Sequence, residues 1–414
     1  MLKEQKFLLN KELDEIFYLY GDNLNLSNHA FPLYLFTKRL YKQLEETKRK
    51  DVLFMSREGQ FLKKLFDRYC AIRNEHGLST TEIKSHYFYG SRNSIMTASV
   101  KPLEEENFES LFHFFGILMS AEMFMFSIGF SDEQIASVKS SFNQPIDKMH
   151  VNFAKSKVFK ELKQNKEFCK IYEANRQKQS KCFAEYMKSF DVDFKKDGLV
   201  FVDIGYHGTM QDLIYKFFDA KVDITGYFLK CRAGEVEHNK KFGLLSDNLN
   251  KKLFGNKITK YDAFNYEQIL RADHGRCCGY EVDENGVGRP VIDTKHDDVE
   301  IFNKLVGPLQ DQIFEKFEKI AHLEAQGLKD IDAACIVYNY YTVKNKSKQD
   351  FDWILDMQDC HHDDFGFVGY PGKVFKRGLR KFAFKFKDFF FLLNHKGYGN
   401  KFKKQFNKSN AKAL

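Results

Sequence analysis

The chain has 414 residues, 65 Lys or Arg against 57 Asp or Glu, a hydrophobic fraction of 43%, and 44 Phe with 20 Tyr. That is long enough to bury a substantial core and too apolar and aromatic for a disordered, solvated chain. Its eight cysteines show no CxxC pair and no secretory leader is read ahead of them, so reduced cytosolic thiols are expected rather than disulfides or a zinc site.

In chain order, residues 1–50 read as an N-terminal helical segment, with Leu33, Phe36, Leu40 and Leu44 at helical spacing before a polar link. A strand is predicted at 51–55. A helix should follow from Gly59 to about Ile72, with Phe61, Leu62, Leu65, Phe66 and Tyr69 on the face that packs on a sheet. Another strand is expected at 85–89, ending in Gly90-Ser91-Arg92-Asn93, which completes a first part of an α/β core at 51–102. Residues 103–195 have helical periodicity and few turn signals, and are read as a helical insertion or cap. Within them, 112–130 comes nearest to membrane-spanning length, but His113 and Glu122 interrupt it and basic flanks are missing, so a core helix is expected. Asp191-Val192-Asp193 mimics a catalytic DxD, yet no apolar strand precedes it and Lys195 and Lys196 follow it; a structural role is expected.

The second part of the core is placed at 196–295. It opens with a strand at 199–202 and a Gly205 to Thr209 loop, then a helix through Met210, Leu213, Ile214, Phe217 and Phe218, then a strand at 224–230. Strand, loop, helix and strand in that order imply a parallel crossover unit. Asp283-Glu284-Asn285-Gly286 reads as a hairpin turn between 279–282 and 288–292. Helices are predicted at 299–323 and 331–341 in a helical region 296–372, ahead of a tail at 373–414. The fold class is therefore α/β, a parallel sheet with a helical insertion and helical C-terminal additions.

Two strand-to-helix junctions carry the chemistry. Ser56-Arg57-Glu58-Gly59 combines a hydroxyl donor, a guanidinium able to bind an anion bidentately, and a glycine that permits close backbone approach; pyrophosphate fits such a loop. The second junction offers Asp203, then Gly205 and Gly208 for tight curvature and Thr209 at the start of a helix whose N–H groups and dipole favour a phosphate. Asp203 could hold ribose hydroxyls or a Mg²⁺ ion. Two such junctions suggest a substrate with phosphates at both ends.

The strings Leu53-Phe54-Met55-Ser56-Arg57-Glu58-Gly59, Tyr89-Gly90-Ser91-Arg92 and Val202-Asp203-Ile204-Gly205-Tyr206-His207-Gly208-Thr209-Met210-Gln211, with a looser match at 267–275 and at Gly279-Tyr280, carry a resemblance. The chain resembles the phosphoribosyltransferase module of bacterial surface-polysaccharide assembly, which is commonly fused to a phosphatase of the haloacid dehalogenase type. The resemblance spans roughly residues 25–290. It implies a phosphoribosyltransferase-like core that moves 5-phosphoribosyl from phosphoribosyl pyrophosphate to a glycan hydroxyl, with inversion to a β-ribofuranoside. On that basis Ser56, Arg57 and Gly59 would take the pyrophosphate, with Arg92 adding charge. Gly205, Tyr206, His207, Gly208, Thr209 and Gln211 would take the 5-phosphate, and Asp203 would face Mg²⁺. Glu58, Asp203 and Glu267 are the candidates for the base that accepts the acceptor's proton. His207 and His274 lie in glycine-bearing loops, where a structural or exposed role is the simpler expectation. No phosphatase module is read, so a separate phosphatase would act on the product.

The net charge of +8 belongs to the tail, where thirteen Lys or Arg against Asp388 alone give +12 after residue 372 and leave −4 before it. Phe375, Leu379, Phe382, Phe386, Phe389 or Phe390, and Leu393 share one helical face among Lys and Arg, which suits the surface of an anionic membrane. A cytoplasmic protein, peripheral on the inner face of the cytoplasmic membrane and acting on a polyprenyl-linked acceptor, is expected. A helix docked on its own domain is the plainer alternative, and nucleic acid is a distant one. The rival functions are a nucleotide-sugar glycosyltransferase and a non-catalytic membrane-attached scaffold.

Overall fold

The computed structural model describes residues 10–20, 25–109, 111–112, 118–231, 236–245, 263–294 and 298–344, with Asp350, Trp353 and Met357; for 206, 263–265, 340–341 and 343–344 this holds of the backbone alone. The chain divides into the units Met1–Asp350 and Phe351–Leu414. The fold below is that of the first, and the basic tail at 373–414 lies outside the described residues.

Nine strands are described: β1 (Asp51–Met55), β2 (Lys84–Phe88), β3 (Leu118–Met119), β4 (His150–Val151), β5 (Leu199–Tyr206), β6 (Ile224–Cys231), β7 (Asn239–Gly243), β8 (Cys277–Val282) and β9 (Gly288–Ile292). Five of them form a sheet in the order β2-β1-β5-β6-β7, every neighbouring pair parallel. The central strands read as apolar runs because both faces are covered: Val52 to Met55 and Leu199 to Val202 are all buried. Counted along the chain, the sheet strands stand in the order 2-1-3-4-5, so the winding reverses between β1 and β5. There the two strands also part. Their ladder consists of Leu53↔Phe201 and Phe54↔Val202, whereas β5 stays paired with β6 out to Tyr206↔Cys231.

Side-chain alternation assigns the layers. Phe54 and Val202 are in register on one face, where Phe54 meets Phe66 of the helix Gly59–Glu75 with ring centroids 5.5 Å apart. The helices Ala30–Glu46 and Gly307–Ala325 pack behind that helix. The opposite face carries Phe201 and Phe88, the latter in register with Met55. Phe88 lies 5.4 Å from the Phe201 ring and 6.3, 5.7 and 6.0 Å from those of Phe183, Tyr186 and Phe190, at or just past the end of the long helix Lys166–Lys188. Phe88 is thus a central ring in the docking of the insertion on β2, beside His86, whose ring lies 5.7 Å from that of Phe190.

Hydrogen bonds finish the docking. The Tyr186 hydroxyl accepts from the Tyr89 N–H at 2.7 Å and the Tyr280 hydroxyl donates to the Tyr89 carbonyl at 3.0 Å, so two side chains satisfy the backbone just past β2. Gln179 does the same for β8, pairing its amide with both backbone groups of Tyr280 at 2.9 and 3.2 Å.

The elements largely follow the expected order; besides a strand at His150–Val151 in the region read as helical and a π segment Phe302–Val306 that interrupts the helix expected at 299–323, three differences stand out. The 112–130 stretch is not one core helix: among its described residues Leu118–Met119 is a strand, Ser120 caps a helix Ala121–Ser127 by accepting from the Met123 N–H at 3.1 Å, and Gly129 at φ +87° ends it. β5 runs four residues beyond the predicted 199–202, which puts Asp203 inside the strand. β7, with the sequence NKKFG, had no strand-like pattern. Asp193 of the DxD mimic caps the helix Phe194–Asp197, its side chain accepting from the Lys196 N–H at 3.3 Å. Among the described residues, no helix is long and apolar enough to cross a membrane.

Because Phe88 is fully buried and holds sheet and insertion together, Phe88→Ala should lower the free energy of unfolding by about 3–5 kcal/mol, measured by urea denaturation.

Candidate functional site

Both junctions leave the sheet at the carboxyl ends of adjacent parallel strands, on the two sides of the gap that opens where β1 and β5 part. In open α/β sheets this is where ligands bind. The Ser56 hydroxyl, buried, donates to the Gly90 carbonyl at 2.7 Å and accepts from the Gly90 N–H at 2.8 Å. It ties the end of β1 to the end of β2. Gly59 begins a helix of seventeen residues, and a Cβ there would stand 2.6 Å from the carbonyl carbon of Phe54. Its lack of a side chain lets the helix start against its own strand. Glu58, half-buried, accepts from the Arg57 N–H at 3.1 Å. Arg92, half-buried, is the first residue of the helix Arg92–Ser99, which Ser91 and Ser94 cap reciprocally past β2.

Arg57 reaches a different part of the chain. Its Nη1 donates to Asp298 Oδ1 at 3.1 Å, and the same oxygen accepts from Arg271 Nη2. Asp298 and Arg271 are buried, and Arg57 keeps 17% of its side chain exposed. The 271–276 segment is fastened beside β1 by further bonds. Gln60 Nε2 donates to Asp273 Oδ1 at 2.7 Å, and Gln310 donates to the Ile269 and Arg271 carbonyls at 2.9 and 3.0 Å. His274 Nδ1 lies 2.8 Å from the Gly275 carbonyl, an acceptor only, so Nδ1 carries the proton and Nε2 accepts from the Tyr87 hydroxyl at 2.7 Å. Burial lowers the His274 pKa below its ordinary 6.5 and raises that of Tyr87, so both are neutral at pH 7.

On the other side of the gap, Asp203 is buried in β5 and its Oδ1 accepts from the adjacent Ile204 N–H at 2.7 Å. Gly205 has φ +114°, and a Cβ would stand 1.9 Å from the Lys230 carbonyl oxygen, so no other residue fits. Tyr206 is the last residue of β5, and its side chain lies outside the described residues. His207 is exposed, and Gly208, at φ +64°, is the N-cap of the helix Thr209–Phe217. Thr209 is the first helical residue and half-buried. Lys241 lies beneath this turn. Buried, it donates to the His207 carbonyl at 2.8 Å and to Asp212 at 2.6 Å. Gln211 turns away from the loop into the core, donating to Asn239 Oδ1 and the Lys240 carbonyl at 2.6 and 3.0 Å.

The structure therefore brings the Ser56–Gly59 and Gly205–Thr209 loops to one edge of the sheet. The 271–276 segment joins the first of them. Glu267 sits half-buried on the helix Ala263–Ile269, which packs against β5. Sequence reasoning missed Tyr87, Lys241, Arg271 and Asp298, whose partners lie on elements distant in sequence. Burial pushes the Cys277 thiol up to about 11 and that of Cys70 up to about 12, so neither is a thiolate at neutral pH. Among the described residues no group of three His, Cys, Asp or Glu could hold a metal. Neither a family model nor a curated protein matches the chain.

The His274 bond network predicts a pH effect. With its folded pKa lowered, the unfolded chain binds the proton first as pH falls, so stability present above about 6.5 is lost on acidification. Urea midpoints should decline from pH 7.5 to 5, and less steeply in His274→Asn.

Proposed function

We propose that the protein transfers 5-phosphoribosyl from phosphoribosyl pyrophosphate to a hydroxyl of a lipid-linked or growing surface glycan, with inversion to a β-ribofuranoside 5-phosphate. The observation that carries this reading is the pair of glycine-bearing strand-to-helix turns on either side of the β1/β5 gap, each opening a helix toward the same edge. A donor with a diphosphate at one end and a phosphate at the other would span the gap. Arg57 and the N-terminal N–H groups of the helix Gly59–Glu75 would grip the leaving diphosphate, with Ser56 holding the loop to Gly90. The Gly205 to Thr209 turn, supported by Lys241, would receive the 5-phosphate.

The chemistry asks little covalent work of the protein. Displacement at the anomeric carbon passes through an oxocarbenium-like state, helped by neutralising the departing diphosphate and aligning the acceptor. Mg²⁺ is usually held by one or two carboxylates and the substrate's phosphates. Asp203, a buried carboxylate one residue past the end of the β1/β5 ladder, would be the protein ligand in that mode. Magnesium so held would neutralise diphosphate charge. A carboxylate must accept the acceptor's proton, and Glu58, Asp203 and Glu267 are the groups to test. The basic tail would hold the enzyme at an anionic membrane, each engaged Lys or Arg contributing about 1 kcal/mol, with a separate phosphatase acting on the product.

Incubation with phosphoribosyl pyrophosphate, Mg²⁺ and lipid-linked acceptors should add a phosphopentose detectable by mass spectrometry, and nucleotide sugars should give no product. Arg57→Ala and Asp203→Ala should each lower turnover by about 100-fold or more while leaving the unfolding transition in place; full turnover in either would remove its assigned role. Deleting residues 373–414 should release the protein from anionic vesicles and spare activity on soluble acceptors.

A further inference from the structure

The contact between Arg57 and Asp298 poses a problem of charge. A guanidinium paired with one carboxylate is neutral as a unit and a poor receptor for an anion. Here a second guanidinium, Arg271, is bound to the same carboxylate oxygen, and Arg271 and Asp298 have side chains 3% and 5% exposed, against 17% for Arg57. The buried pair compensates itself, so Arg57 is held by one N–H while the triad keeps a net charge of +1. Glu58 and Asp273 keep their charges nearby, but the ion pair Arg57 makes is with Asp298: Glu58 accepts from the Arg57 backbone N–H and Asp273 from the Gln60 amide. The Arg271 segment is itself fixed by Gln310 from the helix Gly307–Ala325.

We propose that Arg271 and Asp298 are positioning residues of the diphosphate site, a buried ion pair that orients Arg57 without neutralising it. The assignment rests on the donor reading above and adds to it the device that keeps its first cation available. Arg271 need not touch the ligand. Its charge matters because it cancels Asp298.

The test is titration calorimetry with inorganic pyrophosphate and Mg²⁺ at fixed ionic strength, on the full chain. Arg271→Met should weaken pyrophosphate binding about tenfold or more, because Asp298 then neutralises Arg57. Asp298→Asn should bind at least as tightly as the natural protein, with a lowered melting temperature because Arg271 loses its partner. Arg271→Lys should keep binding within about threefold, since the charge survives. The double variant Arg271→Met with Asp298→Asn is decisive: binding should recover to within about threefold of the natural protein. A double variant no better than Arg271→Met alone would overturn the proposal, as would undiminished binding in Arg271→Met. Failure of the natural protein to bind pyrophosphate would instead refute the donor reading itself, and this assignment with it.

Discussion

The parting of β1 from β5 is the constraint on which the site depends. Two parallel strands that stayed paired to their ends would present a closed edge. Here the ladder stops at Phe54↔Val202 while β5 continues along β6, so the last residues of β5 and the loop after β1 diverge. The reversal of winding at the same place sends the two following helices to opposite faces, and their N-termini remain on the two sides of the opening. Packing enforces this arrangement tightly. Gly59 lets a helix begin against the backbone of Phe54, and Gly205 passes beneath the Lys230 carbonyl where any side chain would collide.

Around that opening, the buried charges of Lys241, Arg271 and Asp298 are compensated by other groups. Lys241 has a carboxylate and a carbonyl, and Arg271 and Asp298 have each other. An unpaired buried charge would be costly, so each such group implies a fixed partner and hence a fixed loop. The Tyr186 and Tyr280 hydroxyls act similarly on the Tyr89 backbone, holding insertion and β8 against the end of β2. The scaffold of the site is thus largely side chain to backbone bonding between segments far apart in sequence.

That explains what could be read from the sequence. β1, the helix after Gly59, β6, the 283–286 turn and the helices after 298 were legible because each is written in local periodicity or turn chemistry. The two glycine loops were legible for the same reason, as apolar strands broken by polar residues. β7 was not, because Asn239 and Lys241 are buried polar residues whose partners, Gln211 and Asp212, lie on another element. Nor was the Arg57, Asp298 and Arg271 cluster, whose first two members are 241 residues apart. Residues 112–130 misled because an apolar run without periodicity does not distinguish strand from helix, and Ser120 and Gly129 were the punctuation that mattered.

The central claim is that two anion cradles face one activated pentose. Calorimetry with Mg²⁺ on three ligands tests it most directly: phosphoribosyl pyrophosphate, pyrophosphate alone and ribose 5-phosphate alone. If both cradles hold one donor, it should bind at least ~100-fold more tightly than either half, because the second contact becomes intramolecular. An affinity for the donor equal to that for pyrophosphate would contradict the account, since only one cradle would then be in use.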